Sequence, residues 1–354
     1  MSILFLNQLF LGIMSKLIKR LEMKRVFLQN YKPLKFKFYQ NIDDFIVTEE
    51  PIRFTNKGNF IILKIEKERL GTWDLIDSLA RNLNIYDNEI GYAGLKDKNA
   101  TTTQYISIPR KYAKDIKKFR HPKIKILDTF LHSTKLNIGD LLGNSFEINL
   151  HEVEACDVGV IEKRLREFGK VGVPNFFGYQ RFGKDVKENL EKANKIIYGD
   201  LKIRDRKLEK MLISIYQSDL FNKWLAKRVK MSEDKFKLLD GEVMKSLDDL
   251  KFFTPNKINE KIIRDFEDKK IVPTGLLCGR EVYRARNEAQ VIEQEFDDTY
   301  IQEKGLRRDA IIFPENIFVN YDVENKKCKL KFRLPKASYA TVVIENIANE
   351  NLRV

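Results

Sequence analysis

Strand-type patterns occupy the two ends of this chain, and helical patterns fill its middle. Residues 45–49 (Phe-Ile-Val-Thr-Glu), 59–65, 101–108, 124–128 and 145–150 are β-branched, aromatic or alternating. Strand patterns return only at 311–319, 328–334 and 340–344. Between them, 186–198, 208–229 and a segment near 288–302 carry apolar residues at helical spacing. A chain so divided folds compactly if its ends form one sheet domain and its middle is an insertion. The spacing places the sheet domain at residues 25–173 and 306–354 and the insertion at 174–305. Two further helices are expected in the first part. One has Thr72 as N-cap and Ile76, Leu79 and Leu83 on one face, and the other spans 157–168 with Gly169 as its stop.

Residues 1–24 stand apart as an N-terminal extension. The apolar stretch 3–14 is broken by Asn7 and Gln8 and is shorter than the roughly 20 residues that span a bilayer. Its positive charges (Lys16, Lys19, Arg20) follow it, which is the wrong order for a secretory leader. A peripheral amphipathic helix and an early start codon, with Met14 or Met23 as the true start, both fit. No membrane partner is expected.

The chain has 354 residues, and 65 Lys and Arg against 51 Asp and Glu give a net charge of +14. Such an excess suits a polyanionic partner, because each cation at a phosphate releases a condensed counterion. A Lys-rich proteome would give the same number, and the Lys- and Ile-rich composition suits a thermophilic archaeon. Cys156, Cys278 and Cys328 are far apart, and His121, His132 and His151 match no zinc spacing. Reduced thiols fit a cytoplasmic location. The phosphate loop, the dinucleotide fingerprint and the nucleophile elbow are all absent from the sequence. What remains is cofactor-free chemistry on an anionic polymer.

Asp97 is the leading candidate for that chemistry. It sits in the polar loop Gly91-Tyr-Ala-Gly-Leu-Lys-Asp-Lys-Asn-Ala100, where Lys96 and Lys98 would hold an exposed carboxylate ionised as nucleophile or base. An ordinary charged turn stays open on charge pattern alone. In Gly143-Asn-Ser-Phe146, Asn144 offers a donor and an acceptor to a base edge and Phe146 a stacking face. A turn feeding a strand with a core Phe is the alternative. In Asn175-Phe-Phe-Gly-Tyr-Gln-Arg-Phe-Gly183, aromatics interleave with Gln180 and Arg181. That suits single-stranded RNA, and a hydrophobic junction equally suits Phe176 and Phe177. The basic run 202–210 reads either as a phosphate track or as a solvated helix start.

Five stretches in order resemble the TruD family of tRNA pseudouridine synthases. They are Asp44-Phe-Ile-Val-Thr-Glu49, Ala93-Gly-Leu-Lys-Asp-Lys98 (with Ala100, Thr103 and Gln104 following), Leu141–Phe146, Gly172–Gly183 and Leu334–Thr341. The matches run from about residue 44 to 345. The resemblance implies an α+β fold, in which a catalytic domain built on a mixed, largely antiparallel sheet carries an inserted α/β TRUD domain. It implies a cofactor-free isomerase acting on tRNA, usually at uridine-13. It implies Asp97 as the catalytic aspartate, Phe45, Asn144 and Tyr339 lining the uridine pocket, and Phe146 close to the base. The chain departs from the family pattern twice. Lys336-Ala337 replaces a small residue and a glycine before Ser338, and Tyr39 stands where a lysine is often found, leaving Lys37 as a substitute partner for Asp97. A non-catalytic tRNA-binding protein on the same fold is the rival reading. A methyltransferase would lack its glycine-rich nucleotide loop.

Overall fold

The computed structural model describes residues 25–352, so the reading of the N-terminal extension lies outside the described residues. The chain divides into two compact units, here described separately. One comprises residues 32–173 and 312–348, and the other 174–311 with residues 25–31 and 349–351.

The first unit is built on a nine-stranded sheet. Its strands are β1 (Lys37–Phe38), β2 (Phe45–Pro51), β3 (Phe60–Glu68), β4 (Gly91–Tyr92), β5 (Thr101–Pro109), β6 (Ile124–His132), β7 (Leu141–His151), β8 (Glu315–Asp322) and β9 (Lys327–Pro335). The order is β8-β9-β7-β2-β5-β3-β6, with β1 edging β7 and β4 edging β5. Only β2 and β5 run parallel. Every other pairing is antiparallel, so the sheet is mixed and largely antiparallel. The long strands alternate buried and half-buried residues, which fixes their register.

The longer helices of this unit are α1 (Thr72–Leu83), α2 (Ala155–Val171) and α3 (Ala340–Ala348). Leu75, Ile76, Leu79 and Leu83 of α1 pack with Leu63, Ile65 and Ile106 of the sheet in one buried cluster. Three local expectations are corrected here. Gly71 is the N-cap of α1, and Thr72 is its first helical residue. Gly169 lies inside α2, where a Cβ would come within 3.0 Å of the Pro314 carbonyl oxygen, so it permits close packing. The helix ends at Gly172, which adopts φ 85. Residues 340–344 are helical, not extended. Their Ala-Thr-Val-Val-Ile run has strand-type composition, but all nine residues of α3 are buried. A helix enclosed on every side gains from that burial, and propensity differences of about 0.5 kcal/mol per residue do not outweigh it.

The second unit has its own four-stranded antiparallel sheet, ordered Phe252–Phe253, Met244–Ser246, Ile271–Leu277, Leu306–Asp309. Helices Val186–Ile197 and Arg206–Lys230 pack on each other. The expected helix near 288–302 is short, Asn287–Glu293 followed by a 3-10 turn. Leu306–Asp309 pairs with Ile271–Leu277, which is why this unit extends past residue 305. Buried ion pairs Arg228–Glu242 (3.1 Å) and Arg307–Glu293 (2.6 Å) brace it. No described helix is long and apolar enough to cross a membrane.

Candidate active site

Register brings the sequence motifs of the first unit into adjoining rows. Lys67 of β3 lies opposite Thr102 of β5, Thr102 opposite Val47 of β2, Val47 opposite Phe146 of β7, and Phe146 opposite Phe332 of β9. In the next row Ile65 faces Gln104, and Glu49, Asn144 and Leu334 stand side by side. Because side chains alternate along a strand, residues two apart share a face. Lys67, Thr102, Gln104, Glu49 and Asn144 therefore point to the same side of the sheet.

The loop between β4 and β5 folds onto this face and carries Asp97. Three contacts fix it. The Lys96 backbone N–H donates to Thr72 Oγ1 at 2.8 Å, and Thr72 in turn donates to Gln104 Oε1 at 3.2 Å. Lys96 Nζ pairs with Glu49 Oε2 at 2.5 Å, with side chains only 6% and 1% exposed. Lys67 Nζ donates to the Leu70 carbonyl at 2.5 Å and reaches the Asp97 carbonyl at 3.5 Å. Glu49, from the first motif, thus ties down Lys96 of the second.

Asp97 is half-buried rather than exposed. Burial pushes its carboxyl up, and the ammonium groups of Lys67 and Lys96 pull against that rise. Burial pushes Lys67 down to about 8, with Asp97 opposing the fall. Glu49 is pushed up by burial against the pull of Lys96. The expectation that Lys96 and Lys98 hold the carboxylate ionised is corrected accordingly. Lys98 turns away to Asp74 at 3.4 Å, and the second cation facing Asp97 is Lys67. Lys37 pairs with Glu152 at 2.5 Å on the surface. Tyr39 sits edge-on to His151, with ring centroids 5.4 Å apart.

Asn144 is half-buried, and its Oδ1 atom is enclosed without a protein hydrogen-bond partner. Thr102 Oγ1 and Gln104 Nε2 on the same face also lack partners. Phe45 and Phe146 are 2% and 7% exposed, with ring centroids 6.0 Å apart, and Phe146 stands 5.8 Å from Phe332. Both rings belong to the floor on which these polar groups rest. Tyr339 is half-buried in the turn between β9 and α3, and its carbonyl accepts from the Val342 N–H at 3.1 Å. Ala337 in that turn adopts φ 62, and Lys336 Nζ donates to the Gly139 carbonyl at 2.9 Å.

Sequence reasoning gave Glu49 no role and missed Lys67 altogether. The signal was present, since Leu63, Ile65 and Lys67 alternate onto one face, so an apolar series ends in a lysine aimed inward. The aromatic segment 175–183 belongs to the second unit. Phe176, Phe177 and Phe182 are buried there, the Arg308 guanidinium lies 3.8 Å from the Phe177 ring centroid, and Arg181 Nε donates to Ser218 Oγ at 3.0 Å. For the phenylalanines the structural reading holds. Among the described residues, no group of three or more His, Cys, Asp or Glu side chains is placed to hold a metal ion.

Polar atoms buried without protein partners cost free energy in a purely structural core. This row of polar groups beside Asp97 is therefore the candidate site of the first unit. The pattern of the family described as "tRNA pseudouridine synthase D (TruD)" matches residues 23–203 and 185–347. The tRNA pseudouridine synthase D of Wolinella succinogenes is 38% identical over 362 residues, covering 94% of this chain and all of that one. That of a Nitratiruptor species is also 38% identical, covering 94% of this chain and 99% of its own. A solved Methanosarcina mazei chain assigned to TruD superposes with a TM-score of 0.70 at 22% identity, over 93% of this chain and 98% of that one, and shares the fold. The chain belongs to the TruD family of tRNA pseudouridine synthases, which are isomerases. The Wolinella, Nitratiruptor and Helicobacter relatives at 33–38% identity are bacterial.

Proposed function

We propose that this protein isomerises uridine to pseudouridine in tRNA, at uridine-13, with Asp97 as the catalytic carboxylate. The observation that carries the reading is the position of Asp97. It is half-buried on the sheet face between two ammonium groups, on a loop that the Glu49–Lys96 pair locks in place. The reaction breaks the bond from N1 to the sugar, joins C5 to the same carbon, and moves a proton from C5 to N1. No electron is gained or lost, so the chemistry requires no cofactor. A deprotonated Asp97 serves either of two routes, attack on the sugar carbon or removal of a sugar proton.

The target uridine must leave its stack, which costs a few kcal/mol. Asn144 Oδ1 is an enclosed acceptor suited to the N3–H of uracil, and a hydrogen bond there offsets part of that cost. Tyr339 contributes a wall and Phe45 and Phe146 a floor, so that the detached base re-adds rather than escapes. Residues 174–305, which lie within the second compact unit, serve in this reading as the insertion specific to the family, and the site acts in the cytoplasm, where Cys278 and Cys328 remain buried free thiols.

The test incubates an unmodified tRNA transcript with wild type and Asp97→Asn and no added cofactor. Pseudouridine is mapped by carbodiimide adduct and primer extension. A stop at one uridine with wild type, and none with Asp97→Asn at equal tRNA binding, is expected. Binding by both proteins without any stop would instead favour a non-catalytic RNA-binding protein.

A further inference from the structure

A groove of ≈530 Å³ opens beside the catalytic loop in the first unit, lined among others by Arg69, Asp74, Arg81, Lys98 and Lys123. Nothing in the reaction described above uses it. Four cations face two carboxylates there, with His121 also on the wall. Arg81 is paired with Asp77 at 2.7 Å and Lys98 with Asp74 at 3.4 Å. The Arg69 and Lys123 side chains are exposed and make no hydrogen bond or ion pair among the described residues, although the Lys123 backbone N–H donates to His121 Nδ1 at 3.1 Å, so the surplus of positive charge is concentrated on them.

Two features suggest a purpose for that surplus. Arg69 is held at φ 52, a left-handed conformation that a non-glycine residue adopts at a cost. Strain of this kind persists where the surroundings impose it, and it gathers at functional sites. The turn is also fastened to the catalytic loop, because Lys67 Nζ bonds the carbonyl of Leu70 and reaches the carbonyl of Asp97. The position of Arg69 is thereby set by the same side chain that faces the reactive carboxylate, and Lys98 directly follows Asp97.

We propose that this groove is a phosphate subsite, in which Arg69 and Lys123 hold a backbone phosphate of the RNA next to the target uridine. The proposal rests on the pseudouridine synthase reading and adds to it where the strand is gripped. A flipped nucleotide stays out only if the backbone beside it is held, and guanidinium and ammonium groups supply that hold without reading sequence. An incoming phosphate also competes with Asp74 for Lys98, so the exposed pair can open on binding.

The test is the double variant R69G/K123A. Glycine adopts the left-handed turn freely, so the variant should fold and melt at or above the wild-type temperature. Two measurements are made on the full chain with an unmodified tRNA transcript. In binding, the slope of log K against log salt should fall by about 0.7 to 1, the value for one phosphate no longer neutralised. In pseudouridine formation, KM should rise by about tenfold or more while kcat at saturating tRNA holds within twofold. The conservative pair R69K/K123R should restore the slope. An unchanged slope in a folded variant overturns the proposal, as does a loss confined to kcat. If wild type binds tRNA but forms no pseudouridine, the enzyme reading fails, and the slope still decides the groove.

Discussion

The ion pair between Glu49 and Lys96 is the joint on which the site's geometry should depend. Glu49→Gln keeps the volume of the side chain and an acceptor for the Tyr105 N–H (3.3 Å) while removing the charge. It leaves the Lys96 ammonium, 6% exposed, without its counter-charge. Breaking one half of a pair this buried costs about 3–5 kcal/mol, and the conservative shape puts Glu49→Gln near 3. In a domain of this size each kcal/mol moves Tm by about 2–4 °C, so the midpoint should fall by about 6–12 °C. The double variant Glu49→Leu/Lys96→Met removes both charges and should recover at least about 2 kcal/mol of that loss, since an apolar pair of similar volume replaces a buried ion pair at little cost. Its activity should not recover, because the Lys96 ammonium beside Asp97 is then gone. The assay pairs thermal unfolding of Glu49→Gln, of the single variants Glu49→Leu and Lys96→Met and of the double variant with pseudouridine formation. If Glu49→Gln costs under about 1 kcal/mol, or if the single effects simply add, the pair is not the buried clamp described here.

Other perturbations separate stability from chemistry. Lys67→Met removes an ammonium facing Asp97. At ~5 Å and an effective dielectric near 20 that interaction is about 3 kcal/mol, screening at a half-buried carboxylate reduces it, and the acid limb of the pH–rate profile should move upward. Should that limb stay in place, Lys67 is not the partner. Asn144→Ala removes a buried acceptor that has no protein partner, so it should change stability by under about 1 kcal/mol while cutting activity at least about 100-fold. Equal damage to both in a melt and a turnover assay would assign Asn144 a structural role. Ala337→Gly relieves a left-handed alanine and should raise Tm by up to about 3 °C, with activity kept, since glycine suits φ 62. For Asp97→Asn the sign follows from burial. A carboxyl whose folded pKa is raised contributes stability below its unfolded pKa and loses it as pH rises through the folded value. At pH 7 the neutral variant should therefore melt at or above wild type, which calorimetry across pH 4–7 would check.

Much of the sheet was legible because period-2 alternation survives in strands with one face enclosed. β2, β5, β7 and β9 contain the stretches that composition marked, and β3 contains all of its own but residue 59. The failures came where enclosure overrides local preference. Residues 340–344 carry a β-branched run and form a helix, because burial on all sides rewards packing rather than alternation. Gly169 has the composition of a helix stop but serves the approach of α2 to the Pro314 carbonyl, a contact that lies 145 positions away in sequence and leaves no local trace. In the second unit, the short strands Met244–Ser246 and Phe252–Phe253 are too brief to show a period at all.

The site shows the same division between what is local and what register creates. Asp97 was legible because its loop is compact, with glycines, lysines and a carboxylate within ten residues. Its electrostatic environment was not, and the reason is geometric. Lys67 is 30 positions from Asp97 and Glu49 is 47 from Lys96, and neither pairing follows from spacing. Both follow from one fact of register, the parallel alignment of β2 and β5 with β3 antiparallel alongside, which sets Lys67, Thr102 and Val47 in one row. A one-residue slip of β3 would turn Lys67 to the opposite face and leave Asp97 with Lys96 alone. The tone of the carboxylate is thus a property of strand alignment. The sequence neighbours that first drew attention to Asp97 divide their work: Lys96 serves the clamp, and Lys98 faces the groove outside.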